Sequence, residues 1–441
     1  MRYNIALCIP TRNSAAMVQD FLERCSSHYI GTGIDIYYYD SSEDDATKEV
    51  VCGWEKNKNH IHYIRMPAET TLAEKQLHIL MGRGLKKSYD FLSLSNDSTQ
   101  YSAKVIQQIV NGICLEYDFI VYSNDKELKT RTYTNPDLFL LECGRWSMHL
   151  GGSMMNVHTM LNEVDWDAYR NLFDPVSGEY SDVISMGAYY GFYFRRFLEM
   201  PSFRAMHLEI ERRSLSPLKR RSMYYNMVIP YLCEGWVRTF RQIPDEYTNK
   251  WIVCRATASQ YVSGTKSAFL LLRSQKQYYI SHFFQYWSVW KKITPVPRRS
   301  LFWIACIPPK LIIWFYEQRK RIGKKKLEDF CRRHSQVYVY GAGNHGSVYG
   351  KYLDSIGQPY VFCATTVREE KKELMGRPIF AIDQVVKHLD GVGFIVAMTQ
   401  RNAKSVLGRL TEEAGKEHIF YDEAFDIDLR SEFGYQSFGG T

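Results

Sequence analysis

Short apolar segments alternate with helical patterns over roughly the first 120 residues, and this alternation constrains the fold more than any other feature of the sequence. The apolar segments have the length of strands and are Tyr3–Ile9, Ile34–Tyr39, His60–Arg65, Phe91–Leu94 and Phe119–Tyr122. The helical patterns between them are Ser14–Ser26, Ala46–Glu55, about Leu72 to Lys87, and Ala103–Leu115. Strands that alternate with helices of this length predict an α/β fold with a mostly parallel sheet and flanking helices.

Polar residues follow three of these strands. The three polar segments are Pro10-Thr11-Arg12-Asn13, Asp40-Ser41-Ser42-Glu43-Asp44-Asp45-Ala46-Thr47 and Ser95-Asn96-Asp97-Ser98. In parallel sheets ligands bind outside the carboxyl ends of the strands, and carboxylates there can hold a divalent cation that bridges a diphosphate. Taken one at a time, these acids have ordinary explanations. Asp44 or Asp45 is expected to cap a helix, and Asp97 is expected to occupy a turn. Three polar strand ends at one sheet edge favour a ligand site.

These segments resemble motifs of the inverting GT-A glycosyltransferases of family 2, whose usual forms are IPTYN, DDGSTDxT and LDDD. This chain has IPTRN, DSSEDDAT and LSNDST in the same order, and the similarity covers roughly residues 3 to 200. The resemblance implies a GT-A-like fold in which Asp40 contacts the base and ribose of a nucleotide sugar. It also implies that Asp97, the last acid of the reduced acidic motif, binds Mg²⁺ or Mn²⁺.

The nucleotide-sugar site that this resemblance implies has seven residues. They are Pro10, Thr11, Asn13, Asp40, Lys75, Asn96 and Asp97. Lys75 lies on the helix before the fourth strand, where it either reaches the nucleotide or is a solvated helix lysine. The reduction of the acidic motif to Asp97 leaves the metal dependence of the reaction open.

By resemblance, the reaction is an inverting displacement at the anomeric carbon of a nucleotide sugar, which needs a base for the acceptor hydroxyl. The family places this base beyond a Gly-rich strand such as Leu150-Gly151-Gly152-Ser153. The acids in that window are Asp165, Asp167, Asp174, Glu179 and Asp182. We place Asp182 first, because it precedes a helix-like segment in the expected region, and Asp174 second. For each of them the alternative is a solvated loop acid.

The region from 236 to 333 is basic, aromatic and predicted to be helical. Its apolar runs Leu301–Ile307 and Leu311–Tyr316 are too short to span a bilayer, and a basic run, Arg319–Lys326, follows them. Aromatic residues beside a polybasic run suit peripheral attachment to an anionic membrane, as do Trp287 and Trp290 next to Lys291. A core helix between two domains, followed by a basic linker, is the alternative. No nucleic-acid-binding signature is present, so nucleic acid is not expected as a partner.

A second α/β unit begins near Ser335 with a strand that runs into a GxGxxG turn and a helix. The three glycines, Gly341, Gly343 and Gly346, can cradle a phosphate at the helix N-terminus, or they can serve only close packing of helix and strand. The segment resembles the Rossmann-like nucleotide-sugar-binding domains of sugar acyltransferases. NAD binding is doubtful, because Ala364 stands where an acid would bind the ribose.

The chain is too long for one ordinary core. We expect a GT-A-like domain at 1–235, the basic-aromatic region at 236–333, a Rossmann-like domain at 334–428 and a disordered tail at 429–441. The ten cysteines occur singly, which favours reduced buried thiols over disulfides or a zinc site. The lack of a signal-like N-terminus and of a spanning apolar stretch predicts a cytoplasmic protein.

Together these features predict a glycosyltransferase that moves a sugar from a nucleoside-diphosphate sugar, with a UDP-sugar as first choice, to a glycan or lipid-linked acceptor. The resemblance suggests a role in bacterial surface polysaccharide synthesis, in the cytoplasm or at the inner face of the cell membrane. Two alternatives stay open. The reduced acidic motif permits an inactive nucleotide-sugar-binding or scaffold protein, and the C-terminal motif permits an NAD(P)-dependent oxidoreductase.

Overall fold

The fold is taken from a computed structural model of the whole chain. The structure describes residues 3–56, 59–82, 88–125, 127–174, 187–211, 214–215, 227–259, 264–367, 372–386, 391–398 and 400–432. The chain divides into two compact units, one comprising residues 1–272 and 276–306, the other 273–275 and 307–441. The division of the sequence into four segments stays a prediction.

The first unit is built on an eight-stranded sheet. From edge to edge its strands are β3 (Ile61–Arg65), β2 (Ile34–Asp40), β1 (Ile5–Thr11), β4 (Phe91–Leu94), β8 (Ser153–Asn156), β6 (Phe119–Ser123), β9 (Ala205–Glu209) and β7 (Arg131–Tyr133). Only β8 and β7 run antiparallel to their neighbours. The mostly parallel α/β sheet expected from the sequence is confirmed. Two short strands, β5 (Thr99–Gln100) and β10 (Ser214–Leu215), pair separately.

The pairing of β1 with β2 determines which polar residues meet at the sheet edge. Ile9 is registered with Tyr38, and both belong to one buried apolar cluster with Phe21 of the helix Ala15–Tyr29. Side chains two residues apart on a strand share a face. Thr11 and Asp40, two residues further on, therefore lie on the same face at the carboxyl edge.

Helices cover the sheet of the first unit. Those before residue 200 are Ala15–Tyr29, Ala46–Glu55, Leu72–Met81, Ala103–Gly112, Pro136–Ser147, Val157–Met160, Trp166–Arg170 and Ala188–Glu199. Two of them are shorter than the sequence predicted. The third ends at Met81 and not near Lys87, because Gly82 takes a left-handed conformation with φ of 32°. The fourth ends at Gly112, because Ile113 is extended.

The region after residue 227 is helical, as predicted. Up to residue 306 it contains Val228–Pro230, a π-helical turn at Tyr231–Trp236, Val237–Gln242, Lys250–Ala258, Lys266–Ser274, Ile280–Gln285, Trp290–Ile293 and Arg298–Cys306. Trp290 is fully buried and donates a hydrogen bond to the carbonyl of Phe283, so for this residue the core-helix alternative holds. Trp287 and Trp303 are exposed. No helix in the described part of the chain has the length and apolar character needed to cross a bilayer.

The second unit has its own six-stranded sheet. In spatial order its strands are β13 (Glu373–Leu374), β14 (Arg377–Ala381), β12 (Val361–Ala364), β11 (Gln336–Tyr340), β15 (Val392–Val396) and β16 (Ile419–Phe420). All pairs are parallel except β13 with β14. Its helices are Pro309–Arg332, Asn344–Ser355, Ile382–Val385, Gln400–Ala414, the 3-10 turn Lys416–His418, and Glu423–Glu432. The last helix extends into the predicted tail, and residues 433–441 lie outside the described residues.

The cysteines are reduced thiols, as the sequence predicted. All ten are free, and seven of them are buried. Cys8 lies in β1 and Cys363 in β12, and burial raises the pKa of both thiols. Such thiols stay protonated near neutral pH and behave as small apolar side chains.

Candidate functional site

Three strand ends of the first unit meet at the carboxyl edge of its sheet. Thr11 closes β1 and is registered with Asp40, which closes β2. The Thr11 hydroxyl donates a hydrogen bond to Oδ2 of Asp97, which follows β4, over 3.4 Å. Asp40 is fully buried and Asp97 is 4% exposed. The structure thus brings together the two carboxylates that the sequence singled out, with Thr11 between them.

Both oxygens of the Asp40 carboxylate accept hydrogen bonds. Oδ1 accepts from the backbone N–H of Ser42 over 3.1 Å and from its hydroxyl. Oδ2 accepts from the Tyr63 hydroxyl over 2.9 Å and from the Arg65 guanidinium over 3.5 Å. Burial raises the pKa of Tyr63 to about 12, so its hydroxyl remains a donor at neutral pH. Arg65 also donates to the Ser42 carbonyl over 2.8 Å, which fixes the loop after β2.

The acids that follow Asp40 have separate roles. Asp44 accepts a hydrogen bond from the backbone N–H of Ala46 at the start of a helix, over 3.2 Å. Asp45 occupies the N-cap position without a side-chain cap bond and pairs with Arg65 over 3.4 Å. Helix capping therefore accounts for Asp44, and it does not account for Asp40.

The loops after β1 and β2 are tied together by Asn13. Its backbone N–H donates to the Ser42 hydroxyl over 2.8 Å, and its side-chain oxygen accepts from the backbone N–H of Glu43 over 3.2 Å. Asn13 holds a left-handed conformation with φ of 49°, which asparagine tolerates better than most residues. Pro10 is buried within β1. Contact of either residue with a nucleotide stays a prediction.

Lys75 points into the strand ends and not into solvent. It lies on the helix Leu72–Met81, which starts at a capping box formed by Thr71 and Glu74. Its side chain is 3% exposed, and Nζ donates to the Thr11 carbonyl over 2.8 Å and to the Ser41 hydroxyl over 2.7 Å. The alternative of a solvated helix lysine was wrong. Burying the Lys75 amine without partners would be costly, and these two acceptors satisfy two of its N–H groups beside Thr11.

The loop that carries Asp97 is ordered by its neighbour. The Asn96 side-chain oxygen accepts from the backbone N–H groups of Ser98 and Thr99, and its amide donates to the Leu150 carbonyl over 3.2 Å. Behind this loop the Tyr38 hydroxyl is buried and has no hydrogen-bond partner among the described residues. Burial, together with the charge of Asp97, raises the pKa of Tyr38, so this hydroxyl stays protonated at neutral pH.

The oxygen atoms at this edge suit a cation that arrives with a phosphorylated ligand. No group of three or more His, Cys, Asp or Glu side chains that could hold a metal ion occurs in the part of the chain that the structure describes. The Asp97 carboxylate and the Thr11 hydroxyl offer hard oxygen ligands at one place. Mg²⁺ typically uses one or two carboxylates, several waters and phosphate oxygens. Asp97 fits that arrangement, whereas an all-protein metal cage does not exist among these residues.

The candidates for the catalytic base lie outside this cluster. Asp182 falls outside the described residues. Asp174 is exposed, and its backbone carbonyl accepts a hydrogen bond from Arg238 over 3.0 Å. The structure does not bring Asp174 into contact with Asp40 or Asp97 through any hydrogen bond among the described residues.

A cavity that the sequence analysis missed adjoins the Asp97 loop. It is partly open to solvent and has room for about one water molecule, and it is lined by Tyr122, Ser123, Asn124, Trp146, His149, Gly152 and Ile210. Gly151 connects it to the Asp97 loop, since its backbone N–H donates to the carbonyl of Leu94 over 2.6 Å. Gly151 has φ of 80°, and a Cβ there would lie 2.7 Å from the Ser95 hydroxyl. The Gly-Gly pair in the sequence was the one signal for this close approach.

The cavity combines aromatic rings with unsatisfied polar groups. The indole Nε1–H of Trp146 is buried and has no hydrogen-bond partner among the described residues. The guanidinium of Arg145 lies 4.9 Å from the centre of the Trp146 ring, and Arg145 also pairs with Asp125. The aromatic lining of the cavity is of the kind found at small-molecule sites, but the volume of the cavity is far below the roughly 300 Å³ or more that such sites enclose.

In the second unit, packing accounts for two of the three glycines of the C-terminal turn. Gly341 has φ of 127°, and a Cβ on Gly346 would lie 1.9 Å from the Gly341 carbonyl oxygen. Gly343 has an extended backbone, and a Cβ there would meet nothing within 4 Å. Close packing therefore explains Gly341 and Gly346. A phosphate held at Gly343 stays a prediction.

Alanine substitutions at Gly346 and at Gly343 should differ sharply in their effect on stability. Gly346→Ala should destabilise the second unit by about 2 kcal/mol or more, because the added Cβ forces backbone apart. Gly343→Ala should leave stability nearly unchanged, because the space is empty. Thermal unfolding of the full-length variants measures both effects. Equal melting temperatures for the two variants would contradict the packing of this turn.

Comparisons with known proteins found similar solved structures. S. aureus TarS is 13% identical over 67% of this chain and 50% of its own, with a TM-score of 0.39. TarS residues 1–349 are 12% identical over 67% of this chain and 82% of that one, with a TM-score of 0.41. The mannosyltransferase PcManGT from Pyrobaculum calidifontis, solved with GDP-Man and Mn²⁺, is 11% identical over 69% and 86%, with a TM-score of 0.36. The matched region thus spans half of the full TarS chain. No family model and no curated protein matches the sequence.

Proposed function

We propose that the chain is a glycosyltransferase that takes a nucleoside-diphosphate sugar as its donor. The observation that carries this proposal is the hydrogen bond between Thr11 and Asp97, beside the strand pairing of Thr11 with Asp40. It means that two buried carboxylates share one sheet edge, where parallel sheets bind ligands. The buried ammonium of Lys75 stands next to them.

Each residue of this edge has a proposed role. Asp40, held by Tyr63 and Arg65, would accept hydrogen bonds from the base and ribose of the donor, with a UDP-sugar as first choice. Lys75 would face the diphosphate with fixed positive charge. Asp97, with Thr11, would hold Mg²⁺ or Mn²⁺. Such a cation, when bound, neutralises charge that develops on the departing diphosphate.

The surface around the small cavity lined by Trp146 and His149 would contact the acceptor. It adjoins the Asp97 loop through Gly151, whose backbone N–H donates to the Leu94 carbonyl. An inverting transfer needs a base on the acceptor side, and Asp182, or else Asp174, is proposed for it. The acceptor would be a glycan or a lipid-linked sugar of a surface polysaccharide, handled in the cytoplasm.

Donor hydrolysis tests the proposed function without knowledge of the acceptor. The full chain is incubated with a panel of UDP- and GDP-sugars, with Mn²⁺ or with EDTA, and released nucleoside diphosphate is measured. We expect release from at least one donor and its loss with EDTA. Nucleotide-sugar binding without release across the panel would favour the inactive nucleotide-sugar-binding or scaffold alternative. NAD(H) binding without nucleotide-sugar binding would favour the oxidoreductase alternative.

Substitution of Trp146 should separate acceptor binding from donor binding. Trp146→Ala removes the aromatic wall of the cavity, and we expect it to raise the KM for an oligosaccharide acceptor roughly tenfold. Donor hydrolysis should stay within about twofold of the parent, because the cavity lies outside the donor edge. Trp146→Phe, which keeps a ring, should have an acceptor KM between those of the parent and Trp146→Ala. An acceptor KM that is unchanged in Trp146→Ala would contradict binding of the acceptor at this cavity.

A further inference from the structure

The helix Pro309–Arg332 of the second unit has a face that its own unit does not cover. Its buried residues are Ile312, Gly323, Leu327, Phe330 and Cys331. Gly323 packs so closely on the last helix that a Cβ there would lie 2.3 Å from the Phe425 ring. The helix is therefore anchored along one side.

The uncovered face carries large apolar side chains. Leu311, Trp314, Phe315 and Ile322 are 54%, 58%, 57% and 54% exposed. Their spacing of three, four and seven residues places them on one side of a helix. Isolated exposed apolar residues are ordinary, but a contiguous group of this size on a helix with a separate buried face indicates a binding surface.

Positive charge surrounds this apolar group. Lys310, Arg321 and Lys325 are exposed and make no ion pair with any residue that the structure describes. Two acids of this helix pair with cations of the helix itself, Glu317 with Lys320 and Asp329 with Arg332. The third, Glu328, accepts a hydrogen bond from the Tyr352 hydroxyl. The face therefore presents aromatic rings and uncompensated cations together.

We propose that this face of the helix Pro309–Arg332 binds the surface of an anionic lipid membrane. Its aromatic and aliphatic side chains would enter the boundary between headgroups and acyl chains, while the lysine and arginine side chains would meet lipid phosphates. A second copy of this chain fits less well. It carries the same excess of positive charge, a formal +8 in total, and would set cations against cations.

Vesicle sedimentation of the full chain tests this surface. We expect binding to vesicles of phosphatidylcholine with phosphatidylglycerol, weak binding to phosphatidylcholine alone, and release by added salt. Trp314→Ser with Phe315→Ser, and separately Arg321→Gln with Lys325→Gln, should each weaken binding about tenfold or more. Ile30→Ser with Ile252→Ser removes equally exposed apolar residues of the first unit and should leave binding unchanged. Thermal unfolding checks that each variant is folded.

Three results would contradict the proposal that this face binds a membrane. The parent chain could fail to bind the anionic vesicles, or the Trp314 and Phe315 variant could bind them as well as the parent. Alternatively, the parent could be a dimer in size-exclusion chromatography that this variant converts to a monomer, which would make the face a dimer interface. Donor hydrolysis in solution should be equal in parent and variant, so this outcome is independent of the proposed transferase activity.

Discussion

Asp97→Asn is expected to lower donor turnover by about a hundredfold to a thousandfold, the usual cost of removing one group that stabilises developing charge. The substitution keeps the shape of the side chain and an oxygen that accepts the Thr11 hydrogen bond. It removes the one negative charge in this loop that can hold a divalent cation. Release of nucleoside diphosphate from the preferred donor, measured with Mn²⁺ at saturation, reports the effect.

Glu43→Gln is the matched control for Asp97→Asn. Glu43 is an acid on the same sheet edge, but it is exposed, and its carboxylate pairs with Arg12 over 3.3 Å. Exposed ion pairs contribute little, so turnover should stay near that of the parent. Full turnover in Asp97→Asn, or a loss of equal size in Glu43→Gln, would contradict the role given to Asp97.

Asp40→Ala is expected to lower the free energy of unfolding of the first unit by about 2–4 kcal/mol and to abolish nucleotide binding. The carboxylate is fully buried and accepts from Ser42, Tyr63 and Arg65. Its removal leaves these donors without an acceptor. The cost stays below that of a fully buried ion pair, because Arg65 reaches solvent. Urea unfolding followed by tryptophan fluorescence, and titration with UDP, measure the two effects.

Tyr63→Phe separates stability from binding at the same position. It removes one donor to Asp40 and leaves the carboxylate in place, so we expect a loss of about 1 kcal/mol with nucleotide binding retained. Arg65 and Ser42 still hold the carboxylate in that variant. An Asp40→Ala protein that is as stable as Tyr63→Phe would mean that the hydrogen bonds around Asp40 do not support the fold.

The strand ends could be predicted from the sequence, because they depend only on local pattern. Apolar runs of strand length place the polar residues that follow them at one edge of a parallel sheet, whatever the helices between them do. Thr11, Asp40 and Asp97 were found in this way. Tyr63 and Arg65 were missed, although Arg65 is registered with Asp40 on the neighbouring strand. The alternation along β3 was the available signal.

The remaining features depend on contacts between residues far apart in the chain. The burial of Lys75 follows from the position of its helix over the ends of β1 and β2, which helical periodicity does not specify. The cavity at Trp146 forms where a helix end meets β6 and β9, and no local motif marks it. Trp287 and Trp290 are close in sequence, yet Trp287 is exposed and Trp290 is buried. The ring of Trp290 is packed against Phe269, Tyr278 and Tyr286, which no local pattern specifies.

A crystal structure of the full chain soaked with UDP and Mn²⁺ tests most directly whether Asp40, Lys75 and Asp97 form one donor site. We expect the uracil and ribose against Asp40, the diphosphate beside Lys75, and Mn²⁺ bound to the Asp97 carboxylate. Uridine diphosphate bound only at the glycine turn of the second unit, or Mn²⁺ bound away from Asp97, would contradict the assignment of this sheet edge.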